Sequence, residues 1–483
     1  MAQWDPTSLR QAMTERMSLD EIESLCFDLG IDPDNLGGDN KAGKIRELIQ
    51  YMQRRGRLND LIAQLAKERP DITPGDVSGT PPARQGGSVP DHAGGQTGPT
   101  SPSTPTAPPP SQIPSWNYVD FDVAIERAGN NYMVNVLSSP AGQARAMTKV
   151  VLTDGPIADG VKALQAARFD VSLAKQLGSQ LLENLLTGEV GTAYNRTLGR
   201  AEIQGSGIRL RLRINEPELK ALPWEYLYDS QRDNFLAVRR DVVISRYLEV
   251  AQGVPTLTAP PALRILVLLS GPTAIGLAKL DLAGEETRIR DALAPIEKSG
   301  RMVLEVEKNP TPFNLRDRLW NNVYHIIHYS GHAYYASKDT NVLGQPVTKD
   351  TGYVVLPDDN GNARLLDEAA FAQFFVGNPN IRLIILNTCQ GGQASLTEYL
   401  SGLGDKLVQT AGIPGVIAMQ FPIADTAAKT FAREFYTSLA GGQPIDTAVA
   451  RSRLALLQDR GANDRAWGTP VLFMRSETGR LFS

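Results

Sequence analysis

Two side chains capable of acid–base and nucleophilic chemistry, His332 and Cys389, each follow a buried apolar run. Val323–Tyr329 precedes the first, and Ile381–Asn387 precedes the second. Both runs have the length of a strand, and the carboxyl ends of parallel strands meet at one edge of a sheet. A neighbouring imidazole raises the thiolate fraction of a cysteine, and it later protonates the leaving amine of a peptide. The pattern therefore predicts His332 as general base and acid and Cys389 as nucleophile.

Taken alone, each of these residues also has a structural explanation. Cys389 could be a buried cysteine at the end of a strand, and His332 could be a hydrogen-bonded histidine in a turn. Their occurrence at matching strand ends, with the histidine 57 residues before the cysteine, favours catalysis. Glycines beside both residues predict turns whose backbone N–H groups can be aimed at a developing oxyanion.

A second histidine, His328, stands four residues before His332. This spacing binds metals when it lies on a helix, but on an extended segment the two side chains are not stacked in the same way. Neither a cysteine pair nor a Glu-x-x-His motif lies nearby. We therefore expect no metal ion and no other cofactor, and we expect His328 to pack beneath the site.

Apolar strands alternating with helices must position the pair. This alternation predicts an α/β fold, with a mostly parallel sheet covered by helices on both faces. The strands predicted after Pro261 are Leu263–Leu269, Val303–Glu307, Val323–Tyr329, Gly352–Pro357, Arg382–Asn387, Gly415–Gln420 and Val471–Met474. The helices predicted between them are Glu285–Ser299, Phe313–Asn321, Glu368–Phe375, Gly404–Thr410, Thr426–Ala440 and Thr447–Leu457. Upstream, the predicted strands are Tyr118–Ile125, Asn131–Leu137, Gly207–Arg213 and Val242–Tyr247, with a helix near Leu173–Leu186.

Composition divides the chain into four parts. Residues Pro74–Pro114 contain 11 Pro and 7 Gly with few large apolar side chains, which predicts a disordered linker over 74–115. The part before it, 1–73, has helical patterns throughout and predicts a small all-α domain. The α/β part after the linker is divided into 116–260, a half that could be a catalytically dead counterpart, and 261–483, the domain that carries the pair.

Overall composition excludes several classes of protein. The 483 residues carry a net charge of −4, which argues against a broadly electrostatic nucleic-acid binder. The two cysteines, Cys26 and Cys389, provide neither a disulfide framework nor a zinc site. No apolar run has the length of a membrane span, and the first residues do not resemble a signal peptide. We expect a cytoplasmic protein of a reducing compartment, with no membrane or nucleic-acid partner.

Charge is segregated within the N-terminal part. Residues 15–39 contain eight acidic residues and one arginine, whereas residues 41–57 contain six basic residues and one glutamate. Two solvated helix faces would explain this pattern. It would also suit a module whose acidic face docks onto the basic face of a similar module.

The N-terminal motifs resemble those of a known family of adaptor domains. They are Leu-Cys-Phe-Asp-Leu-Gly-Ile-Asp at Leu25–Asp32, Asn35-Leu-Gly-Gly, Lys41-Ala-Gly-Lys, Arg46-Glu-Leu-Ile and Arg54-Arg-Gly-Arg-Leu. This pattern is similar to the bacterial effector-associated domain of the first type, a small death-domain-like adaptor found on immune effectors. The resemblance implies docking to a partner protein that carries a similar domain.

The α/β region resembles the CHAT family of caspase-like cysteine peptidases (clan CD). Besides the histidine–cysteine pair, the resemblance covers Leu222–Asp229, Phe235–Arg239, Gly412–Asp425, Pro444–Arg453 and Trp467–Phe473. It implies a caspase-like sheet with His332 and Cys389 as the catalytic pair. It also implies that the backbone N–H groups of Ala333 and Cys389 form the oxyanion site, although many relatives have glycine at the position of Ala333.

The same resemblance aligns Asp425 with an aspartate that faces the substrate side chain before the scissile bond. A carboxylate at that place would pair with arginine or lysine. Asp425 could instead cap the helix predicted to begin at Thr426. Both interpretations stay open at this point.

Together these features predict a cysteine endopeptidase, recruited or activated through adaptor contacts, that acts as a bacterial antiphage or conflict effector on a partner protein. Cleavage after arginine or lysine would follow from Asp425. The alternative is a non-catalytic caspase-like scaffold that only binds peptides in a signalling complex. Cleavage of its own linker, for example after Arg84, is a third possibility.

Overall fold

The computed structural model describes residues 6–17, 21–22, 25–26, 29, 41–54, 60–62, 64–65, 116–166, 169–248, 253–254, 256–275, 277–336, 341–390 and 396–483. Of some of these residues, Cys389 and Gln390 among them, it describes only the backbone. The chain divides into two compact units, Met1–Pro105 and Thr106–Ser483. The predicted linker lies entirely outside the described residues. The boundaries of the four predicted parts stay predictions.

The first unit is helical where it is described. Helix α1 spans Pro6–Arg16 and begins at a proline, which suits the first helical position because its missing N–H would have no partner there. Helix α2 spans Lys41–Arg54. Apolar side chains from both helices, including Leu9, Met13, Ile45 and Leu48, are buried in one core. Cys26 is buried in the same core.

Thirteen strands of the described second unit form one sheet. They are β1 Tyr118–Ala128, β2 Asn131–Ser138, β3 Ala144–Thr148, β4 Gly207–Ile214, β5 Val242–Tyr247, β6 Leu263–Ser270, β7 Met302–Lys308, β8 Ile326–Ala336, β9 Thr351–Pro357, β10 Ala363–Asp367, β11 Leu383–Gln390, β12 Gly415–Met419 and β13 Pro470–Met474. Their order is β10-β9-β8-β11-β12-β13-β5-β4-β1-β2-β3, with β6 pairing with β8 and β7. The two halves that the sequence separated at residue 260 therefore share one continuous sheet.

Parallel pairing dominates the centre of this sheet. Strand β8 runs parallel to β6 and β11, and β11 runs parallel to β12. Antiparallel pairs lie towards the edges (β8 with β9, β9 with β10, β1 with β2 and β2 with β3) and at the junction of β12 with β13. The prediction of a mostly parallel α/β sheet is confirmed.

Helices of the second unit cover both faces of the sheet. They are α3 Gly155–Gln165, α4 Val171–Leu185, α5 Gly188–Ile203, α6 Pro217–Lys220, α7 Leu282–Lys298, α8 Pro312–Asn321, α9 Glu368–Gln373, α10 Leu396–Gln409, α11 Asp425–Ala440 and α12 Ile445–Arg460. None of the described helices is both long and apolar enough to span a bilayer.

Alternating side chains of the central strands feed two separate apolar cores. In β8, Ile326 belongs to the core under α7, α11 and α12, whereas Ile327 belongs to the core under α8, α9 and α10. The same alternation places Ile385 of β11 in the first core and Leu386 in the second. Because successive strand residues point to opposite faces, strands buried on both faces are apolar at nearly every position.

Candidate active site

His332 and Cys389 are register partners on the neighbouring parallel strands β8 and β11. Neighbouring strands lie about 4.8 Å apart, and register partners occupy the same face of the sheet. The two residues predicted to work together are therefore adjacent in the sheet. They lie on the face that also carries Ile326 and Ile385, beneath α7 and α11.

The turn predicted at Gly331 is wrong, because β8 continues through this position. Strand β11 continues through Cys389 to Gln390, and the glycines predicted to form a turn after it lie outside the described residues. Pairing of β8 with β6 ends at Gly331 and pairing with β9 starts at Ala333, so His332 lies between the ends of two strands. Glycine is required at 331 for close approach: a Cβ there would lie 2.5 Å from the Tyr329 hydroxyl and 2.8 Å from the Ser270 carbonyl oxygen.

The imidazole of His332 is held in one orientation by a backbone carbonyl. Its exposed fraction is 1%, and its Nε2 lies 2.9 Å from the carbonyl oxygen of Ala278. A carbonyl only accepts hydrogen bonds, so Nε2 donates its proton to Ala278, and Nδ1 is the ring nitrogen that can exchange a proton. The Tyr329 hydroxyl donates to the carbonyl of His332 itself at 2.9 Å, which fixes the backbone at this residue. His332 is thus oriented by contacts on both its side chain and its backbone.

His328 lies on the same face, beside α11. Its Nδ1 is 3.0 Å from the Tyr436 hydroxyl, while its Nε2 is buried and has no hydrogen-bond partner among the described residues. Burial lowers the pKa of His328 to about 4, so the ring is neutral at physiological pH. Within the described part of the chain, no three His, Cys, Asp or Glu residues are grouped in a way that could hold a metal ion.

Ala333, the predicted oxyanion donor next to the histidine, lies inside the sheet. It pairs with Val354 of β9 on one side and with Gln390 of β11 on the other. A neighbouring strand therefore flanks its backbone on both sides, in place of the tight turn that the sequence suggested. The assignment of the Ala333 and Cys389 N–H groups to an oxyanion site stays a prediction.

Asp425 is the first residue of α11, and Ala424 occupies the N-cap position. The interpretation of Asp425 as the cap is therefore wrong. Its carboxylate has an exposed fraction of 67% and forms an ion pair with Arg288 of α7, with Nη1 and Oδ2 3.2 Å apart. The same guanidinium binds Glu285 one turn earlier, with Nη2 and Oε2 2.9 Å apart. Arg288 thus bridges two carboxylates.

These groups line a narrow cavity of about 20 Å³, with room for about one water molecule, between α7, α11 and the strands of the site. Its lining includes Glu285, Arg288, His328, Asn387, Met419 and Asp425. Asn387 stands two residues before Cys389 and pairs in register with Ser330. Alternation along β8 and β11 places Asn387 and Ser330 on the face that carries the histidine–cysteine pair, so the cavity lies on the same face as that pair.

A buried polar network joins the two halves of the sheet near this cavity. Glu225 accepts hydrogen bonds from Arg246 (2.8 Å to Nη2) and from Gln420 (2.9 Å to Nε2). Gln420 directly follows Met419, which lines the cavity. Arg453 is also fully buried and donates to the carbonyl of Pro470 from both Nε and Nη2. The Leu222–Asp229 motif thus contributes to the frame that holds the end of β12.

Sequence reasoning missed Glu285, Arg288 and the carbonyl of Ala278. Glu285 and Arg288 are three residues apart on a helix, which is the spacing of an ordinary surface ion pair. The carbonyl of Ala278 has no sequence signal, because any residue supplies one. Only the packing of α7 against α11 reveals their place beside the predicted pair.

Two solved structures are similar to this chain at low identity. Separase of Saccharomyces cerevisiae, in its complex with securin, aligns at 10% identity with a TM-score of 0.42 over 74% of this chain and 30% of the separase chain. The chain thus spans about 30% of the length of that protein. The complex of Porphyromonas gingivalis RgpB pro- and mature domains aligns at 13% identity and a TM-score of 0.38, over 68% of this chain and 76% of that one. A search of curated protein sequences finds no match.

Family models match both parts of the chain. Effector-associated domain 7 matches residues 9–70, so the predicted effector-associated domain is confirmed, with number 7 as the matching type where the motifs suggested the first. The CHAT domain matches residues 171–475, which is more than half of the 483 residues. The chain therefore belongs to the CHAT-domain family.

Proposed function

We propose that the protein is a cysteine endopeptidase in which Cys389 is the nucleophile and His332 is the general base and acid. The observation that carries this proposal is the register pairing of the two residues on adjacent parallel strands. The hydrogen bond from Nε2 of His332 to Ala278 supports it, because that bond leaves Nδ1 as the basic nitrogen. A base whose other nitrogen is held by a third group is the usual arrangement of an activated nucleophile.

In the proposed reaction, Nδ1 of His332 accepts the thiol proton and the thiolate attacks the carbonyl carbon of the scissile bond. The imidazolium that results is stabilised by the carbonyl of Ala278, which accepts from its Nε2–H. His332 then gives the proton to the leaving amine as the C–N bond breaks, which leaves a thioester on Cys389. Water, deprotonated by the same histidine, hydrolyses the thioester and restores the thiol. The backbone N–H groups of Ala333 and Cys389 would stabilise the oxyanion.

We assign specificity for arginine or lysine before the scissile bond to the cavity between α7 and α11. Asp425 and Glu285 both line it, and carboxylates bind guanidinium groups through paired, charge-assisted hydrogen bonds. A neutral substrate side chain would form no such charge-assisted contact with these carboxylates. This gives the cavity a preference for basic side chains.

The effector-associated domain is the proposed means of recruitment. It would bind a partner that carries a similar domain and so raise the effective concentration of the peptidase near its substrate protein. We propose that this serves a bacterial antiphage or conflict response. The cytoplasm is the proposed compartment, since its reducing conditions keep thiols free of disulfides.

The test is a comparison of new protein N termini in cells that co-express the protein with a partner bearing an effector-associated domain. Wild type is expected to generate termini that follow arginine or lysine, and Cys389→Ala is expected to generate none of them. Deletion of residues 1–71 should abolish only the partner-dependent termini. Identical sets of termini in wild type and Cys389→Ala would contradict the peptidase and favour the peptide-binding scaffold.

A further inference from the structure

The cavity between α7 and α11 is lined by a cationic side chain of the protein itself, Arg288. Arg288 lies between Glu285 and Asp425, with contacts of 2.9 Å and 3.2 Å. Its Nε is also 3.2 Å from the Glu285 carboxylate, so the guanidinium edge faces this carboxylate through two nitrogens. The exposed fraction of its side chain is 31%, so the guanidinium is partly accessible from solvent.

The surrounding groups are organised around this position. Ser330, on the strand that carries His332, donates to Oε1 of Glu285 at 3.3 Å and so ties the carboxylate to β8. Glu285 is largely buried, with 16% of its side chain exposed. His328 lines the same cavity, and its buried Nε2 has no hydrogen-bond partner among the described residues. The cavity lining thus contains two carboxylates, two cations (Arg288 and Lys429) and one ring nitrogen. Lys429 pairs with Asp291 at 3.7 Å, whereas Arg288 pairs with both carboxylates of the cavity.

We propose, building on the proposed function, that Arg288 is a resident stand-in for the basic side chain of the substrate and must leave the two carboxylates before that side chain can bind. A guanidinium from the substrate would make the same contacts with Glu285 and Asp425. Glu285 is thereby a second specificity-determining carboxylate beside Asp425. The resting protein carries its own competitor for basic substrates.

The need to displace Arg288 lowers the apparent affinity of the protein for a basic substrate side chain. This affinity is proportional to the fraction of molecules in which Arg288 has left the cavity. If Arg288 vacates it in about 1–10% of molecules, the apparent dissociation constant rises about 10- to 100-fold. Removal of the guanidinium should lower the dissociation constant by that factor. The gain should be confined to cationic ligands, because only they compete for the carboxylates.

The binding test uses the full chain with Cys389→Ala, so that nothing is cleaved. The probes are a short acetylated peptide amide ending in arginine and the same peptide ending in citrulline, which has nearly the same shape but no charge. Adding Arg288→Ala should tighten binding of the arginine peptide about 10-fold or more, measured by titration calorimetry, and leave the citrulline peptide unchanged. Arg290→Ala is the matched control, because Arg290 lies on the same helix and pairs with Glu286 outside the cavity.

Two results would overturn the proposal. Equal or weaker binding of the arginine peptide after Arg288→Ala means that Arg288 does not compete. Citrulline binding that is stronger than arginine binding, and that Arg288→Ala destroys, means that Arg288 is a fixed part of a pocket for neutral side chains. Arg288→Gln, checked for a native unfolding transition, replaces the alanine variant if that variant does not fold.

Cleavage distinguishes this inference from the function on which it rests. With Cys389 intact, Arg288→Ala should lower KM for an arginine peptide and change kcat little. If wild type and Arg288→Ala both cleave nothing while the arginine peptide still binds more tightly to the variant, the peptidase proposal fails and the resident-cation inference stands. If cleavage depends on Cys389 but KM does not fall in Arg288→Ala, only the inference fails.

Discussion

His332 and Cys389 are register partners on two adjacent parallel strands, and the histidine lies where one neighbouring strand ends and another begins. At His332 the pairing partner of β8 changes from β6 to β9. The histidine therefore lies beside the predicted nucleophile at the point where these two strands meet. The carbonyl of Ala278 fixes the tautomer of that imidazole. The arrangement supplies a nucleophile, a base and an orienting group from three separate segments of the chain.

Substitution of either member of the pair should abolish peptide cleavage without unfolding the protein. We expect Cys389→Ala and His332→Ala each to reduce kcat/KM by about 10⁴-fold or more. Because the residues of such a unit do not act independently, the double variant should be no worse than the worse single variant. Additive losses measured with an arginine-containing peptide would mean that the two residues do not work together.

Asp425→Ala should reduce cleavage after arginine and lysine and leave the fold intact. Asp425 is mostly exposed, so its loss creates no buried unpaired charge in the unbound protein. In the complex, a substrate guanidinium would lose one of its two carboxylates and with it a charge-assisted contact. A library of peptides that varies the residue before the scissile bond measures the effect. Unchanged turnover of arginine-containing members would remove Asp425 from the specificity site.

Stability should fall on acidification because of His328. Burial lowers its pKa from 6.5 to about 4 in the folded protein, so the unfolded chain binds the extra proton first as pH falls. The contribution of His328 is therefore present above pH 6.5 and is lost as pH falls towards 4, by about 2 kcal/mol between about pH 7 and pH 5. Urea unfolding at both pH values should show this loss in wild type and a smaller one in His328→Gln.

Glu368 provides a comparison of opposite sign. Burial raises the pKa of its carboxyl from 4.5 to about 7, so the folded state binds the proton more tightly than the unfolded state. Its contribution is present below pH 4.5 and is lost as pH rises towards 7. Glu368→Gln should therefore make the loss of stability on acidification steeper. An identical pH slope in wild type and both variants would contradict these assignments.

The buried contact of Glu225 with Arg246 should be important for stability. Glu225→Gln leaves the Arg246 guanidinium without a counter-charge in a buried setting, which costs about 3–5 kcal/mol of unfolding free energy. Glu286→Gln, which weakens ion pairs at the surface with Arg290 and Lys308, should cost less than about 1 kcal/mol. Denaturant midpoints of the two variants test the difference. Equal losses would show that the Glu225 network does not hold the two halves together.

The sequence predicted the parallel core and the positions of its strands and helices. The run Leu263–Leu269 is apolar at every position except Arg264, and this pattern is typical of strands buried on both faces. The sequence did not predict β3, α3 or α5. The strand Ala144–Thr148 lies at the sheet edge, where partial exposure weakens the apolar pattern. Gly188–Ile203 contains glycines that lower the helical propensity of its sequence.

At the site, the sequence predicted which residues carry the chemistry but misjudged the local backbone. Ser-Gly-His was interpreted as a turn because glycine usually marks one, whereas Gly331 serves a close approach within a continuing strand. The Arg288 contacts depend on how α7 packs against α11, which is a relationship between segments more than 130 residues apart. Local patterns contain no information about such a contact.

The most direct test of the pairing of His332 with Cys389 is the pH dependence of Cys389 alkylation, followed by mass spectrometry of the peptide that carries it. We predict that in wild type Cys389 reacts with an apparent pKa below the ordinary thiol value of about 8.5, and that in His332→Ala the value returns to about 8.5. The same apparent pKa, near 8.5, in both proteins would contradict the account.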